Sequence, residues 1–185
     1  MGLYRTAPVG NKEHMRSFIA VPVPGDTADH LERLQRRLGA GRPVPRDNLH
    51  LTLAFLDDQP EEVLEELHHA LLALRAAPFA VAMGGIGTFG TALFVHVADD
   101  ARMTRLHDTI TRACRRAGIE LQKRRFRPHV TLARLRPGAA PPPLPPGLAE
   151  TDLPDLLVTG IALYGSTLHP KGARHEILAE YPLSA

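Results

Sequence analysis

Apolar and polar residues alternate in several short stretches of this chain, and apolar residues recur at helical spacing in three longer ones. The first pattern predicts β-strands and the second predicts amphipathic helices. The predicted strands cover residues 17–23, 48–56, 79–83, 92–98, 128–135, 156–164 and 174–182. The first predicted helix is capped by Asp26 or Thr27, has an apolar stripe that includes Leu31, Leu34 and Leu38, and ends before Gly39. Two others cover residues 61–77 and 101–117, and Gly118 is expected to end the last.

Glycine and proline separate these elements and set the domain limits. A glycine-rich stretch from Gly84 to Gly90 predicts a turn between two strands, and the proline-rich residues 136–147 predict an extended surface loop. Residues 1–14 are polar and lack periodicity, so they are expected to form a flexible N-terminal extension. The remaining residues, 15–185, are expected to form one domain.

The order strand, helix, His-x-Thr strand occurs twice along the chain. The segments HLTLAFL, from His50, and HVTLARL, from His129, agree at the histidine, the threonine and three apolar positions. In the first segment, alternation predicts Leu51 and Phe55 on one face and His50 on the other. The repeat predicts an α+β fold of two related lobes that share a cleft, with mostly antiparallel sheets and the helices packed outside.

The two His-x-Thr strands carry the candidate chemistry. Residues i and i+2 of a strand point to the same face, so His50 lies beside Thr52 and His129 beside Thr131. Two imidazoles can act as general acid and general base near neutral pH, and threonine hydroxyls can donate hydrogen bonds to phosphate oxygens. This set of groups is suited to opening a cyclic phosphodiester, and it lacks the ligand pattern of a zinc or two-metal site.

Positive charge gathers around the second motif. This basic cluster comprises Arg115, Arg116, Lys123, Arg124, Arg125, Arg127, Arg134 and Arg136. A solvated face and a patch that attracts RNA phosphates both account for such a cluster. Arg127 and Arg134 are the favoured phosphate ligands because they belong to the His129 strand. Phe126 could stack on a base or be buried in the core.

Composition narrows the class of protein. The chain has 185 residues, a formal net charge of +2 and a single cysteine, Cys114. One cysteine allows neither an intramolecular disulfide nor a thiolate zinc cluster, which favours a reducing cytoplasm. No apolar run reaches the roughly 18 residues that a membrane helix needs. A soluble cytoplasmic monomer without a membrane association or a protein partner is therefore expected.

The motifs resemble those of the 2H phosphoesterase superfamily, and within it the RNA 2′,3′-cyclic phosphodiesterase family, also called the 2′-5′ RNA ligase family. The resemblance extends from Arg16 to Leu183. It is carried by the segments FIAVP from Phe18, NLHLTLAFL from Asn48, FRPHVTLAR from Phe126 and LYGS from Leu163, together with Gly172.

The resemblance implies a bilobal, pseudo-two-fold fold with the active site in the central cleft. It implies hydrolysis of RNA 2′,3′-cyclic phosphate ends, tRNA fragments among them, to 2′-phosphomonoesters without a cofactor or metal. It also implies reversible 2′-5′ RNA ligation. By position, His50 would be the proton donor and His129 the proton acceptor.

The chain departs from the family at three positions. It has Arg42-Pro43-Val44 and Phe94 where relatives often carry tryptophan, and His175 where they have a late tyrosine. Two alternatives therefore stay open. One is a 2H phosphodiesterase acting on a nucleotide cyclic phosphate or a 2′-5′ oligoadenylate. The other, from a different class, is an RNA-binding module whose histidines perform no chemistry.

Overall fold

The computed structural model describes residues 14–140, 143, 153–169 and 172–184. The predicted features at residues 1–13 and in half of the loop 136–147 lie outside them. Its helices are α1 (Gly25–Leu38), α2 (Glu61–Leu72) and α3 (Ala101–Arg116). Its strands are β1 (His14–Pro22), β2 (Arg42–Pro43), β3 (His50–Pro60), β4 (Phe79–Val81), β5 (Met83–Phe89), β6 (Ala92–Val97), β7 (His129–Arg134), β8 (Leu156–Val158), β9 (Gly160–Thr167) and β10 (Arg174–Pro182). Among them no helix is long and apolar enough to cross a membrane.

The main sheet runs through both halves of the molecule in the order β10-β9-β1-β3-β7-β6-β5, with β2 paired to β7. The short strands β4 and β8 form a second sheet. Neighbouring strands are antiparallel wherever the structure describes their register. The predicted α+β class with antiparallel sheets is therefore confirmed.

The two halves of the main sheet meet at β3 and β7, the strands that carry the His-x-Thr motifs. Leu51 and Val130 form the register pair between these strands, and neither side chain is exposed to solvent. The half around β3 continues into β1, β9 and β10, and the half around β7 continues into β6 and β5. The repeated sequence pattern thus corresponds to two sheet halves joined at one residue pair.

The helices cover one face of this sheet and bury the main hydrophobic core. Helix α1 contributes Leu31, Leu34 and Leu38 to the core, as its predicted apolar stripe requires. It begins directly after Pro24 and without a side-chain cap, so the predicted capping role of Asp26 or Thr27 is wrong. Thr27 is instead buried against the core.

Helix α3 has the N-terminal cap that α1 lacks. The carboxylate of Asp100 accepts hydrogen bonds from the backbone N–H groups of Arg102 and Met103. A cap of this kind stabilises a helix by about 1 kcal/mol. The side chain of Arg102 also forms an ion pair with Asp100. Gly118 follows the helix with a positive φ of 82°, which agrees with its predicted role as a helix stop.

Helix α2 ends at Leu72, five residues before the predicted end at residue 77. After the helix, the backbone N–H of Ala76 donates to the carbonyl of Ser184. The chain therefore leaves the helix because its backbone groups find partners in the C-terminal segment, a contact that no local pattern encodes.

The glycine-rich stretch is a strand and not the predicted turn. Residues Met83–Phe89 form β5 and pair with β6, so the turn is confined to Gly90 and Thr91. A side chain at Gly87 would place its Cβ 2.7 Å from Nε2 of His96 and 2.8 Å from the ring of Phe94. Glycine is needed here because the rings of Phe94 and His96, on β6, occupy the space that a side chain at this position would take.

The predicted strand over residues 156–164 is divided between the two sheets. Residues Leu156–Val158 form β8 and pair with β4, whereas Gly160–Thr167 form β9 between β1 and β10. Both pieces are rich in aliphatic residues, so the break has no signal in the local hydrophobic pattern. The final strand, Arg174–Pro182, is confirmed with the predicted bounds.

We expect Gly87→Ala to destabilise the protein, because the new methyl group would collide with the rings of Phe94 and His96. Urea denaturation should show a free energy of unfolding lower by about 1–3 kcal/mol. Gly84→Ala is the matched control, since nothing lies within 4 Å of a Cβ at that position of the same strand. Equal unfolding free energies for the two variants would contradict this account.

Candidate active site

The candidate catalytic histidines lie on either side of the contact between the two sheet halves. His50 directly precedes Leu51, and His129 directly precedes Val130, the two residues that pair β3 with β7. In this antiparallel register, His50 lies opposite Thr131 and His129 lies opposite Thr52. The buried leucine and valine point to the helices, so both histidines point to the opposite face, which we call the cleft face.

The two motifs have the same pattern of burial over seven residues. In each, the histidine and threonine are half-buried, the aliphatic residues are buried, and the sixth residue is exposed. That sixth residue is Phe55 in the first motif and Arg134 in the second. The predicted placement of Phe55 on the same face as Leu51 is wrong, because its side chain is 61% exposed and its ring lies 6.4 Å from that of Phe18 on the cleft face.

An equivalent β-bulge in each motif explains this pattern. Opposite β1, the register skips Leu53, because Ile19 pairs with Ala54 and Ala20 pairs with Thr52. Opposite β6, the register likewise skips Leu132. A bulge inserts one residue and reverses the alternation beyond it, so Phe55 and Arg134 come to the cleft face beside the His-x-Thr pairs.

The ring of each candidate catalytic histidine forms a hydrogen bond with the backbone carbonyl two residues before it. Nδ1 of His50 lies 2.8 Å from the carbonyl oxygen of Asn48, and Nδ1 of His129 lies 2.7 Å from that of Arg127. A carbonyl oxygen only accepts, so each neutral ring carries its proton on Nδ1. Nε2 of each ring is therefore the nitrogen that is left to exchange protons with a substrate.

Aromatic rings surround His50. The Phe18 ring centre lies 4.8 Å away, that of Tyr164 5.8 Å and that of His175 5.4 Å. Phe18 and Tyr164 stack on each other and, with Ala20 and Ala162, form a small second core on the cleft face. The ring of His50 thus packs against a largely apolar cluster.

This environment lowers the pKa of His50 to about 4. Burial is the main cause, because removal of water disfavours the charged ring. Positive charge on His175, His129 and Arg134 acts in the same direction, and the hydrogen bond to Asn48 opposes the shift without cancelling it. His50 is therefore neutral at pH 7 in the ligand-free protein.

In the second lobe, the rings of Phe94 and His96 lie near His129. Phe94, on β6, has its ring centre 4.8 Å from that of His129. His96 is the register partner of His129 and contacts Phe94 at 4.9 Å, so it also lies on the cleft face. Its side chain is exposed.

The residues predicted to bind substrate do not all lie at the cleft. Thr52, Thr131 and Arg134 do. Arg127 has an exposed side chain and contributes its carbonyl oxygen to the orientation of His129. The Phe126 ring stacks on His107 of α3, with centres 4.1 Å apart, and packs against the main core. Base stacking by Phe126 stays an untested prediction, and its observed contacts make it an anchor for the preceding loop.

Sequence reasoning missed the aromatic and histidine residues that complete the site. In the sequence, Phe18 and Tyr164 stand out only as parts of segments that carry the family resemblance, and His175 only as a departure from it. They come together through the pairing of β1 with β9 and of β9 with β10. A cluster of three or more His, Cys, Asp or Glu residues able to hold a metal ion is not found within the part of the chain that the structure describes.

Comparisons with known proteins agree on one family. A family model described as the 2′-5′ RNA ligase superfamily matches residues 22–168. An RNA 2′,3′-cyclic phosphodiesterase of Thermus thermophilus is 35% identical over 190 residues, which cover 91% of this chain and 90% of that protein. An RNA 2′,3′-cyclic phosphodiesterase of Geobacillus stearothermophilus is 32% identical over 183 residues, which cover 90% of this chain. These residues cover only 56% of that longer protein.

Solved structures show the same fold. The apo crystal structure of Escherichia coli LigT superposes with a TM-score of 0.75 at 26% identity, covering 94% of this chain and 99% of LigT. LigT has also been crystallised with phosphate, and that structure superposes equally well at 25% identity. Because the family model matches residues 22–168, which is well over half of the chain, this chain belongs to the 2′-5′ RNA ligase superfamily.

Proposed function

We propose that this protein hydrolyses the 2′,3′-cyclic phosphate at the end of an RNA to a 2′-phosphomonoester, with His50 and His129 as the acid–base pair. The observation that carries the proposal is the equivalent placement of two imidazoles, each oriented by a backbone carbonyl and each with Nε2 available. Relatives that are named RNA 2′,3′-cyclic phosphodiesterases support the substrate class.

The reaction needs two proton transfers at opposite sides of one phosphorus atom. A neutral imidazole takes a proton from water as the water oxygen bonds to phosphorus. The bond from phosphorus to the ribose 3′ oxygen breaks, and an imidazolium gives that oxygen its proton. The net reaction adds one water molecule and leaves the phosphate on the 2′ oxygen. Two histidines across a pseudo-two-fold suit such an exchange. The same sequence with the 5′-hydroxyl of a second RNA in place of water forms a 2′-5′ phosphodiester, which is ligation, and its reversal restores the cyclic phosphate.

The remaining groups of the cleft face suit a phosphate. Thr52 and Thr131 accompany the histidines and can donate to the non-bridging oxygens, where negative charge develops. Arg134 adds a permanent positive charge, which reaches both His50 and His175. The capacity of LigT to be crystallised with phosphate is consistent with an anion site in this fold. None of these roles requires a metal, and activity in a chelator is expected.

The roles of the two histidines depend on how the bound substrate changes the pKa of His50. Because its pKa is about 4 in the ligand-free protein, His50 can donate a proton only if the bound phosphate anion raises that pKa. We propose that it does, and that His129 is the acceptor. The opposite assignment, with His50 as the base, would require no such rise.

The loop before β7 favours an RNA substrate over a free nucleotide. Residues 122–125 are exposed and carry Lys123, Arg124 and Arg125, while Leu121 and Phe126 anchor the loop to the core on either side. A fixed basic segment that leads into the His129 strand can attract the phosphates of a chain that extends beyond its reacting end. A cyclic mononucleotide has no further phosphates for this segment to attract.

We expect His50→Ala and His129→Ala each to lower kcat/KM by about 10²–10⁴-fold, because each removes one proton transfer. The substrate is a short RNA with a 2′,3′-cyclic phosphate end, assayed in a chelator, with the position of the product phosphate determined. His69→Ala, on the exposed side of α2, is the control. Turnover only with added metal, or full activity in both variants, would contradict the mechanism, and RNA binding without any turnover would favour a binding module.

We expect the His50 ring to stay neutral, with its proton on Nδ1, down to about pH 4 in the ligand-free protein. Nitrogen-15 NMR of the imidazole tests this. Because the unfolded chain takes up that proton near pH 6.5, the free energy of unfolding should fall by about 1–3 kcal/mol between pH 6.5 and pH 4, and less in His50→Gln. Titration near pH 6.5 would contradict the structure. An unchanged pKa with inorganic phosphate bound would reverse the proposed roles.

We expect the double change Arg124→Ala, Arg125→Ala to raise KM for an RNA oligonucleotide several-fold and to weaken its salt dependence. KM for a nucleoside 2′,3′-cyclic phosphate should not change, since that substrate has no further phosphates. Arg36→Ala with Arg37→Ala, in the last turn of α1, is the matched control. Equal effects on both substrates would favour the nucleotide-specific alternative.

A further inference from the structure

A third histidine lies next to His50 and belongs to neither motif. His175 lies on β10, at the far end of the order β10-β9-β1-β3, and pairs with Ser166 of β9. Its ring meets that of His50 nearly at right angles, with centres 5.4 Å apart, and that of Phe18 at 4.9 Å. His175 therefore lies on the cleft face, in contact with His50.

One ring nitrogen of His175 is buried without a partner. Nδ1 is shielded from solvent and has no hydrogen bond to any of the residues that the structure describes. A buried polar atom that lacks a hydrogen bond destabilises a protein by about 1–3 kcal/mol, so such an atom is usually retained for a reason. Phe18 would pack as well against a phenyl ring, which means that packing alone does not explain an imidazole here.

The surroundings also favour the neutral form of the ring. Burial lowers the pKa of His175, and the positive charge of Arg134 adds to the effect. A neutral imidazole offers one donor and one acceptor. The neutral ring of His175 can therefore donate one hydrogen bond to an anion.

We propose that His175 is a substrate-binding residue that donates a hydrogen bond to the terminal phosphate beside His50. Hydrogen bonds of about 2.8–3.0 Å allow two rings with centres 5.4 Å apart to reach oxygens of one phosphate group. Arg134, whose charge acts on both rings, provides the positive side of the same site. This inference rests on the proposed function, because it assigns the phosphate of that substrate.

The test separates hydrogen bonding from packing by two substitutions. His175→Phe keeps a ring against Phe18 and His50 but removes both nitrogens, and His175→Gln keeps hydrogen bonding without the ring. For the RNA cyclic phosphate we expect His175→Phe to raise KM about tenfold, with kcat within threefold of the wild type. Inhibition by inorganic phosphate should weaken about tenfold, and His175→Gln should recover part of both losses.

Two results would overturn the proposal. Unchanged KM and unchanged phosphate inhibition in His175→Phe would leave His175 a packing residue. A fall in kcat with KM unchanged would mean that His175 acts only by positioning His50. His69→Phe, the same replacement on the exposed side of α2, is the control, and thermal unfolding shows whether each variant is folded. If His175→Phe does not fold, His175→Gln with wild-type KM and wild-type phosphate inhibition would equally overturn the proposal.

A phosphate titration keeps this test distinct from that of the overall function. If the wild type fails to turn over the RNA substrate, the proposed function fails. Inorganic phosphate should still shift the imidazole resonances of His175 in NMR spectra and should bind more weakly to His175→Phe. If the wild type is active but phosphate does not perturb His175, only the inference about His175 fails.

Discussion

The site depends on the pairing of β3 with β7 at Leu51 and Val130. Both side chains are fully buried, and their packing against the core determines the register of these two neighbouring strands. A slip of one residue in either strand would turn its histidine into the core. The hydrophobic core on one face thus controls the position of the imidazoles on the other, and the two lobes come together where the candidate chemistry lies.

In the proposed function, the two β-bulges adapt this arrangement of strands to a phosphate ligand. Strict alternation would bury Phe55 and Arg134 with the core, where an unpaired guanidinium is strongly unfavourable. The skipped residues, Leu53 and Leu132, reverse the alternation and deliver one aromatic ring and one positive charge to the cleft face. Because the same irregularity occurs in both motifs, the pseudo-symmetry extends to the local distortion of the strands as well as to their sequence.

Electrostatics at the site reflect a balance between burial and charge. The stacked rings of Phe18 and Tyr164 exclude water from beneath His50, and burial therefore lowers its pKa. The positive charge of Arg134 lowers it further. A bound phosphate anion would oppose the shift, because negative charge beside the ring favours the charged imidazole. In the proposed mechanism, substrate binding and proton transfer are coupled for this reason.

Local sequence determined the helices, most of the strands and the two His-x-Thr motifs, because their periodicity and spacing depend on neighbouring residues alone. It also located the terminal strand and the end of α3. The bulges, the strand at Gly87 and the early end of α2 depend on partners distant in sequence, and only the tertiary structure decided them. The same is true of His175, which reaches His50 through three successive strand pairings. Long-range register decides which side chains share a cleft, and local pattern does not encode it.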